Sequence, residues 1–151
     1  MTAPQSTPSS IPAATPAEPA RSTRVTGVGR LLIAVYGLLA LAATGRSFVQ
    51  IASKFSEAPL SYSLSALAAV VYIVATVALI KSGGHWRRVA WITIGFEFVG
   101  VLVVGTLSLL DPALFPHDSV WSVYGRGYVF IPLVLPLLGM WWLSRTGKVG
   151  A

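Results

Sequence analysis

Four long runs of apolar residues alternate with short polar segments along the chain. The runs are Leu31–Thr44, which extends to about Ile51, Leu60–Ile80, Val89–Leu110 and Tyr128–Leu143. An α-helix rises about 1.5 Å per residue and the hydrocarbon layer of a bilayer is about 30 Å thick, so about 20 apolar residues cross it once. The pattern therefore predicts an all-α polytopic membrane protein, a bundle of four transmembrane helices at about residues 29–51, 60–81, 89–110 and 127–144.

Composition strengthens this prediction. Hydrophobic residues make up 54% of the chain and charged residues 11%, whereas a soluble domain carries about 25% charged residues. We therefore expect no water-soluble domain, and we expect the lipid bilayer to be the main partner. The net charge of +6 fits anionic lipid headgroups and the bias of membrane insertion, so we expect no nucleic-acid partner.

The first 24 residues differ from the rest of the chain. They hold five prolines among alanine, serine and threonine and have no periodic apolar face, so a disordered tail is expected. A transmembrane domain over residues 25–145 and a short tail over residues 146–151 would follow it. One alternative stays open: Ala40-Leu41-Ala42 matches the cleavage rule of a secretory signal, which would remove residues 1–42.

The basic residues are distributed unequally between the two predicted sides. One side carries eight of the eleven: Arg21, Arg24, Arg30, Lys81, Arg87, Arg88, Arg145 and Lys148. Basic residues near helix ends favour the cytoplasmic side of a membrane. We therefore expect a multi-pass protein of the plasma membrane, with both termini cytoplasmic and the first and third loops outside.

Glu97 lies inside the third predicted span, with no other charge nearby in the sequence. A charged carboxylate at such a depth costs about 2.5–3.5 kcal/mol, so the side chain should face protein or water, and burial favours the neutral acid. Helical spacing places it on a stripe of small and polar residues: Thr93, Glu97, Gly100, Val104 and Ser108. Two interpretations remain open, a relay for protons or cations and a hydrogen-bonding acid that fixes helix packing.

A second polar stripe lies on the first predicted span, where Arg46, Gln50 and Lys54 share one face. Arg46 needs acceptors at this depth, and Ser61, Tyr62, Ser65, Glu97 or backbone carbonyls could supply them. Alternatively, it extends to the outer headgroups. In the fourth span, Pro132 and Pro136 should each free a carbonyl on the same face, which would produce either a kink or a lined cavity.

The third loop is the longest connection and contains aromatic residues near its end. Asp118-Ser119 is typical of a helix N-cap, so we expect a short amphipathic segment in the outer headgroup region, with an irregular loop as the alternative. The residues expected at this outer interface are Trp121, Tyr124, Arg126 and Tyr128.

No pattern of catalytic, metal-binding or nucleotide-binding residues occurs in the sequence, and cysteine is absent. A membrane enzyme would need a nucleophile, a base or metal ligands at one depth. We therefore expect no enzymatic activity, no catalytic residues, no metal and no cofactor.

Two stretches carry a resemblance to known proteins: Gly45-Arg46-Ser47-Phe48 continuing into residues 54–60, and Leu110–Pro116 continuing into Gly125–Tyr128 and Pro132–Pro136. They resemble a group of small four-helix integral membrane proteins of high-G+C Gram-positive bacteria. The resemblance covers roughly residues 28–145. It implies a bacterial plasma membrane and brings no activity with it.

Together these features favour a structural or accessory subunit, held in a larger membrane complex or a homo-oligomer. The alternative is a small transporter or channel whose polar path uses Glu97 and Arg46.

Overall fold

The part of the chain that the structure describes folds into four α-helices joined by shorter connections. The computed structural model describes residues 2–5, 9–16, 23–81 and 83–147, with side chains in the first helix described from Gly27 onward. The helices are α1 (Thr23–Lys54), α2 (Pro59–Ile80), α3 (Gly84–Leu110) and α4 (Ile131–Thr146). In these described ranges there is no strand, which confirms the all-helical class. Residues 2–5 and 9–16 of the tail contain neither helix nor strand, and residues 148–151 lie outside the described ranges.

The helix boundaries follow from local backbone chemistry. Pro59 occupies the first turn of α2, where its missing N–H costs no hydrogen bond. Gly83 precedes α3 with φ +124°, a conformation that side chains with a Cβ rarely adopt. Asp111 ends α3 because the following Pro112 disfavours helical backbone at the residue before it. α1 begins eight residues and α3 five residues before the first residue of the corresponding apolar run.

Small residues allow the helices to approach closely. α1 packs along α2, and both contribute buried alanines, including Ala43 and Ala75, which are fully enclosed. α3 packs between α2 and α4, and α1 also touches α4. At the α1–α4 contact a Cβ added to Gly29 would lie 2.7 Å from the Trp142 ring, so this position accepts only glycine without a shift.

Among the described residues, three helical segments are long and apolar enough to cross a membrane. They are Gly27–Glu57, which includes the 3₁₀ turn after α1, Pro59–Ile80 and Gly84–Leu110. α4 has 16 residues and is therefore only about 24 Å long. α4 meets the preceding 3₁₀ segment, Ser122–Tyr128, at an angle of 97°. The two segments form a fourth candidate span only if they are counted as one.

The fourth predicted span, residues 127–144, is corrected by the structure. α4 begins at Ile131, after the left-handed residues Val129 and Phe130. Pro132 therefore lies in the first turn of the helix and removes no interior hydrogen bond, and only Pro136 lies inside α4. The prediction required Pro132 and Pro136 to free the carbonyls of Tyr128 and Pro132 on one helix face. It is wrong for the first proline, because Tyr128 precedes α4.

The segment between α3 and α4, residues 111–130, folds back into the bundle; we call it the re-entrant linker. Val120 and Trp121 are each 1% exposed, and Phe115 is also buried. The backbone turns inward through the left-handed residues Val123, Tyr124 and Gly125 rather than forming a regular amphipathic helix. The expected segment in the headgroup region is therefore corrected to an irregular linker whose centre is buried among the helices.

Glycines of α3 explain how the linker fits. A Cβ at Gly100 would lie 2.7 Å from the Trp121 ring, and one at Gly105 would lie 2.8 Å from the backbone nitrogen of Tyr124. A methyl group at either position would displace the linker. The small residues of this helix face thus accommodate the linker rather than a neighbouring helix.

Candidate functional site

Glu97 lies at the midpoint of α3, thirteen residues from Gly84 and thirteen from Leu110. Each helix end is therefore about 20 Å away. The side chain is 0% exposed. Because α3 begins earlier than predicted, Glu97 lies about one and a half helical turns further from that end than the sequence indicated.

One strong hydrogen bond holds the Glu97 carboxyl. The Tyr36 hydroxyl of α1 donates to Oε2 at 2.7 Å, and both side chains are buried. The other oxygen, Oε1, is also buried and has no hydrogen-bond partner. A buried acceptor without a partner costs free energy, and among the buried unpaired atoms this is the one that belongs to an acid.

Aromatic side chains extend the site toward the linker. The rings of Tyr36 and Tyr72 lie with centroids 6.2 Å apart, and the indole Nε1 of Trp121 donates to the Tyr72 hydroxyl at 2.9 Å. We call Tyr36, Tyr72, Glu97 and Trp121 the Glu97 cluster. It joins α1, α2, α3 and the re-entrant linker around one carboxyl.

Sequence reasoning missed the two tyrosines of this cluster. Each lies within an apolar stretch of its helix, and a buried tyrosine hydroxyl usually requires a hydrogen-bond partner. That requirement is the signal that could have identified Tyr36 and Tyr72 as part of the site.

Two other polar residues of the predicted α3 stripe lie on the same buried face. Thr93 and Ser108 are buried, whereas Ile92 is 72% and Val99 58% exposed, in the pattern that the helical spacing predicts. The Ser108 hydroxyl accepts a hydrogen bond from the Val123 backbone N–H at 2.8 Å. Ser108 therefore secures the re-entrant linker.

Arg46 belongs to the linker rather than to the Glu97 cluster. Its Nη2 donates to the backbone carbonyl of Asp118 at 2.6 Å. Backbone carbonyls were among the acceptors predicted for Arg46, and the acceptor is one of them. This carbonyl belongs to the linker and not to α4. On the same helix Gln50 is half-buried, with Oε1 unpaired. Within the described residues, Arg46 and Glu97 bond to different partners.

The four residues expected at the outer interface occupy different environments. Trp121 is buried in the Glu97 cluster, and Tyr128 is half-buried against the core. Tyr124 bonds through its hydroxyl to Thr106 at 3.0 Å. Only Arg126 has a well-exposed side chain, at 63%, and its Nη2 lies 3.5 Å from a carboxylate oxygen of Asp118. Trp121 therefore stabilises the interior instead of anchoring the surface.

The chemistry available at the site is limited to one carboxyl and its hydroxyl and indole neighbours. In the described ranges no group of three or more histidines, aspartates or glutamates could hold a metal ion. Comparison with family models, curated proteins and solved structures found no match. The geometry of the molecule itself must therefore carry any proposal about its role.

Proposed function

We propose that the chain is a multi-pass plasma-membrane protein that acts as a structural or accessory subunit, without enzymatic activity or cofactor. It crosses the membrane four times, the fourth time through α4 and the re-entrant linker together. Both termini face the cytoplasm.

The outer surface of the helices supports a lipid environment. Every helix exposes large apolar side chains, as at Leu41 (74%), Ile73 (45%), Val99 (58%) and Val134 (57%). Apolar faces all around a small bundle match the acyl chains of a bilayer or the helices of a partner.

Charge supports the orientation. Four basic residues lie together where α2 ends, α3 begins and α4 ends: Lys81, Arg87, Arg88 and Arg145. We call this the basic end. The acids Glu57, Asp111 and Asp118 all lie near the opposite end, which the linker covers. This asymmetry is the one that the positive-inside rule associates with a cytoplasmic basic end.

The packed interior carries the proposal of an accessory role. Trp121 occupies the space beside Gly100 and bonds to Tyr72, so an aromatic side chain of the Glu97 cluster itself fills this part of the bundle. A channel or carrier needs a polar route, whereas this arrangement uses its polar groups to hold helices and linker together.

Photo-crosslinking in native membranes tests this proposal. A photoreactive amino acid is placed at one exposed position on each helix, at Leu41, Ile73, Val99 or Val134, and at buried Ala75 as the matched control. An accessory subunit gives a discrete crosslinked protein from one helix face and none from Ala75. A product of twice the chain's mass would identify a homo-oligomer. Lipid adducts alone from all four faces would contradict the accessory role.

A second function, a path for protons or cations, is favoured by one observation. Glu97 Oε1 is buried without a partner, as expected for a carboxyl that transiently binds a proton or cation. In that case Glu97→Gln folds normally and abolishes a pH-dependent flux in liposomes, while Tyr124→Phe leaves the flux unchanged. Wild-type protein that shows no flux of protons, common cations or lipophilic cations would exclude this function.

A further inference from the structure

A cavity of about 420 Å³ opens at the basic end, between the α2–α3 connection and the end of α4. Its volume lies in the range of about 300–1,000 Å³ that is typical of small-molecule sites. Its inner wall is apolar and includes Leu79, Ala90 and Leu143. The Glu97 cluster does not line this cavity, so its chemistry is separate from the site described above.

Cationic side chains form the rim of the cavity. Lys81 and Arg87 both line it, and the Lys81 ammonium lies 4.6 Å from the centre of the Trp86 ring. The described acids other than Glu97 lie near the linker end, so neither cation has a carboxylate partner among the residues that the structure describes. An anionic group with an attached hydrocarbon matches a cavity with a basic rim and an apolar wall.

Arg87 is held in position for such a contact. Its Nη2 donates to the backbone carbonyl of Leu143 at 2.6 Å, which ties the start of α3 to the end of α4. A guanidinium carries five N–H donors, so this bond fixes the group while using only one of its nitrogens. Thr146 lies on the same rim and bonds through its hydroxyl to the carbonyls of Trp142 and Leu143.

We propose that this cavity binds an anionic phospholipid of the cytoplasmic leaflet. The phosphate contacts Lys81 and Arg87, and the first part of one acyl chain lies along Leu79, Ala90 and Leu143. Basic pockets between transmembrane helices on the cytoplasmic side bind anionic headgroups in this way. The inference rests on the proposed membrane orientation but not on the accessory role, because a lipid can occupy this site in an isolated bundle.

Native mass spectrometry of the full chain tests the proposal. The protein in mild detergent is titrated with phosphatidylglycerol or with zwitterionic phosphatidylcholine of the same acyl chains. Lys81→Gln should weaken the binding of phosphatidylglycerol about fivefold, the effect of one basic side chain at an anionic headgroup, and should leave phosphatidylcholine unchanged. Arg88→Gln is the matched control, because it removes the same charge at the same end from a residue that does not line the cavity.

A second variant tests the apolar wall without changing charge. Ala90→Leu fills part of the cavity and should lower the occupancy of phosphatidylglycerol, and because overpacking at this buried position can lower the melting temperature, binding is compared at a temperature at which both proteins are folded. Equal binding of the two lipids by wild-type protein, or equal losses for Lys81→Gln and Arg88→Gln, would overturn the proposal. Displacement of the lipid by millimolar inorganic phosphate would also overturn it and indicate a site for a free anion.

Discussion

The hydroxyl of Tyr36 donates a hydrogen bond to Oε2 of Glu97, 2.7 Å away, and thereby links α1 to the midpoint of α3. The two residues are 61 positions apart in the chain, and both are fully enclosed. This bond satisfies one oxygen of a fully buried carboxyl, whereas Oε1 has no hydrogen-bond partner.

Removing the donor should cost more than replacing the acid by its amide. Tyr36→Phe leaves the buried carboxyl without this hydrogen bond and should lower the free energy of unfolding by about 1–2 kcal/mol. Glu97→Gln keeps an oxygen that accepts from Tyr36, so it should change stability by less than about 1 kcal/mol. Unfolding in a detergent titration measures both.

Tyr124→Phe is the control for this pair. It removes an exposed hydroxyl that bonds to Thr106 and should have almost no effect. If Tyr36→Phe unfolds no more readily than Tyr124→Phe, the bond between α1 and α3 contributes nothing measurable.

The glycines of α3 should differ sharply in their tolerance of alanine. Gly100→Ala forces a methyl group against Trp121 and should destabilise the protein by about 1–3 kcal/mol through overpacking. At Gly95 a new Cβ meets nothing within 4 Å, so Gly95→Ala should be neutral or stabilising by up to about 1 kcal/mol. Thermal unfolding of the two variants makes the comparison, and equal stabilities would argue against the packed linker.

The burial of Trp121 predicts a difference in lipid contact among the tryptophans. Variants that retain either Trp121, which is 1% exposed, or Trp141, which is 47% exposed, as the sole tryptophan are placed in liposomes. Brominated lipids should quench the fluorescence of Trp141 strongly and that of Trp121 weakly. Equal quenching would place the linker on the surface.

Truncating the same residue should be costly. Trp121→Ala removes a fully buried ring and its bond to Tyr72, with an expected loss of about 3–5 kcal/mol. Trp121→Phe keeps most of the ring and should lose much less. The order of the two unfolding midpoints provides the check, and a midpoint for Trp121→Ala equal to that of wild type would show that the ring does not stabilise the interior.

The charge asymmetry predicts where a reporter that works only outside the cytoplasm will be active. Fusions within residues 55–58 or near Pro116 should be active, and fusions after Gly83 or at Ala151 should be inactive. Activity at Ala151 would exclude the arrangement with four crossings and both termini inside. Intact-mass measurement of the same preparations should show residues 1–42 present, and their loss would establish signal cleavage after Ala42.

Local sequence patterns were sufficient to predict the helical architecture and the face of α3 that is buried. Apolar runs and a 3.6-residue period are local properties, so Glu97 and Ser108 could be assigned to one stripe without knowledge of the other helices. The end of α3 before Asp111-Pro112 is equally local. The first residue of α4 was harder to predict, because a proline such as Pro132 is compatible with either the first turn or the interior of a helix.

The partners of the polar residues and the course of the linker depend on how the helices assemble. A hydrogen bond between Tyr36 and Glu97, or between Arg46 and the carbonyl of Asp118, depends on distances between segments far apart in sequence. Tryptophan is a residue type that often anchors a protein at a membrane interface. In this structure, however, Trp121 is buried in the space beside Gly100 and forms a hydrogen bond with the hydroxyl of Tyr72. These two gains exist only once the helices have assembled, and for that reason no local pattern could predict that the linker turns inward.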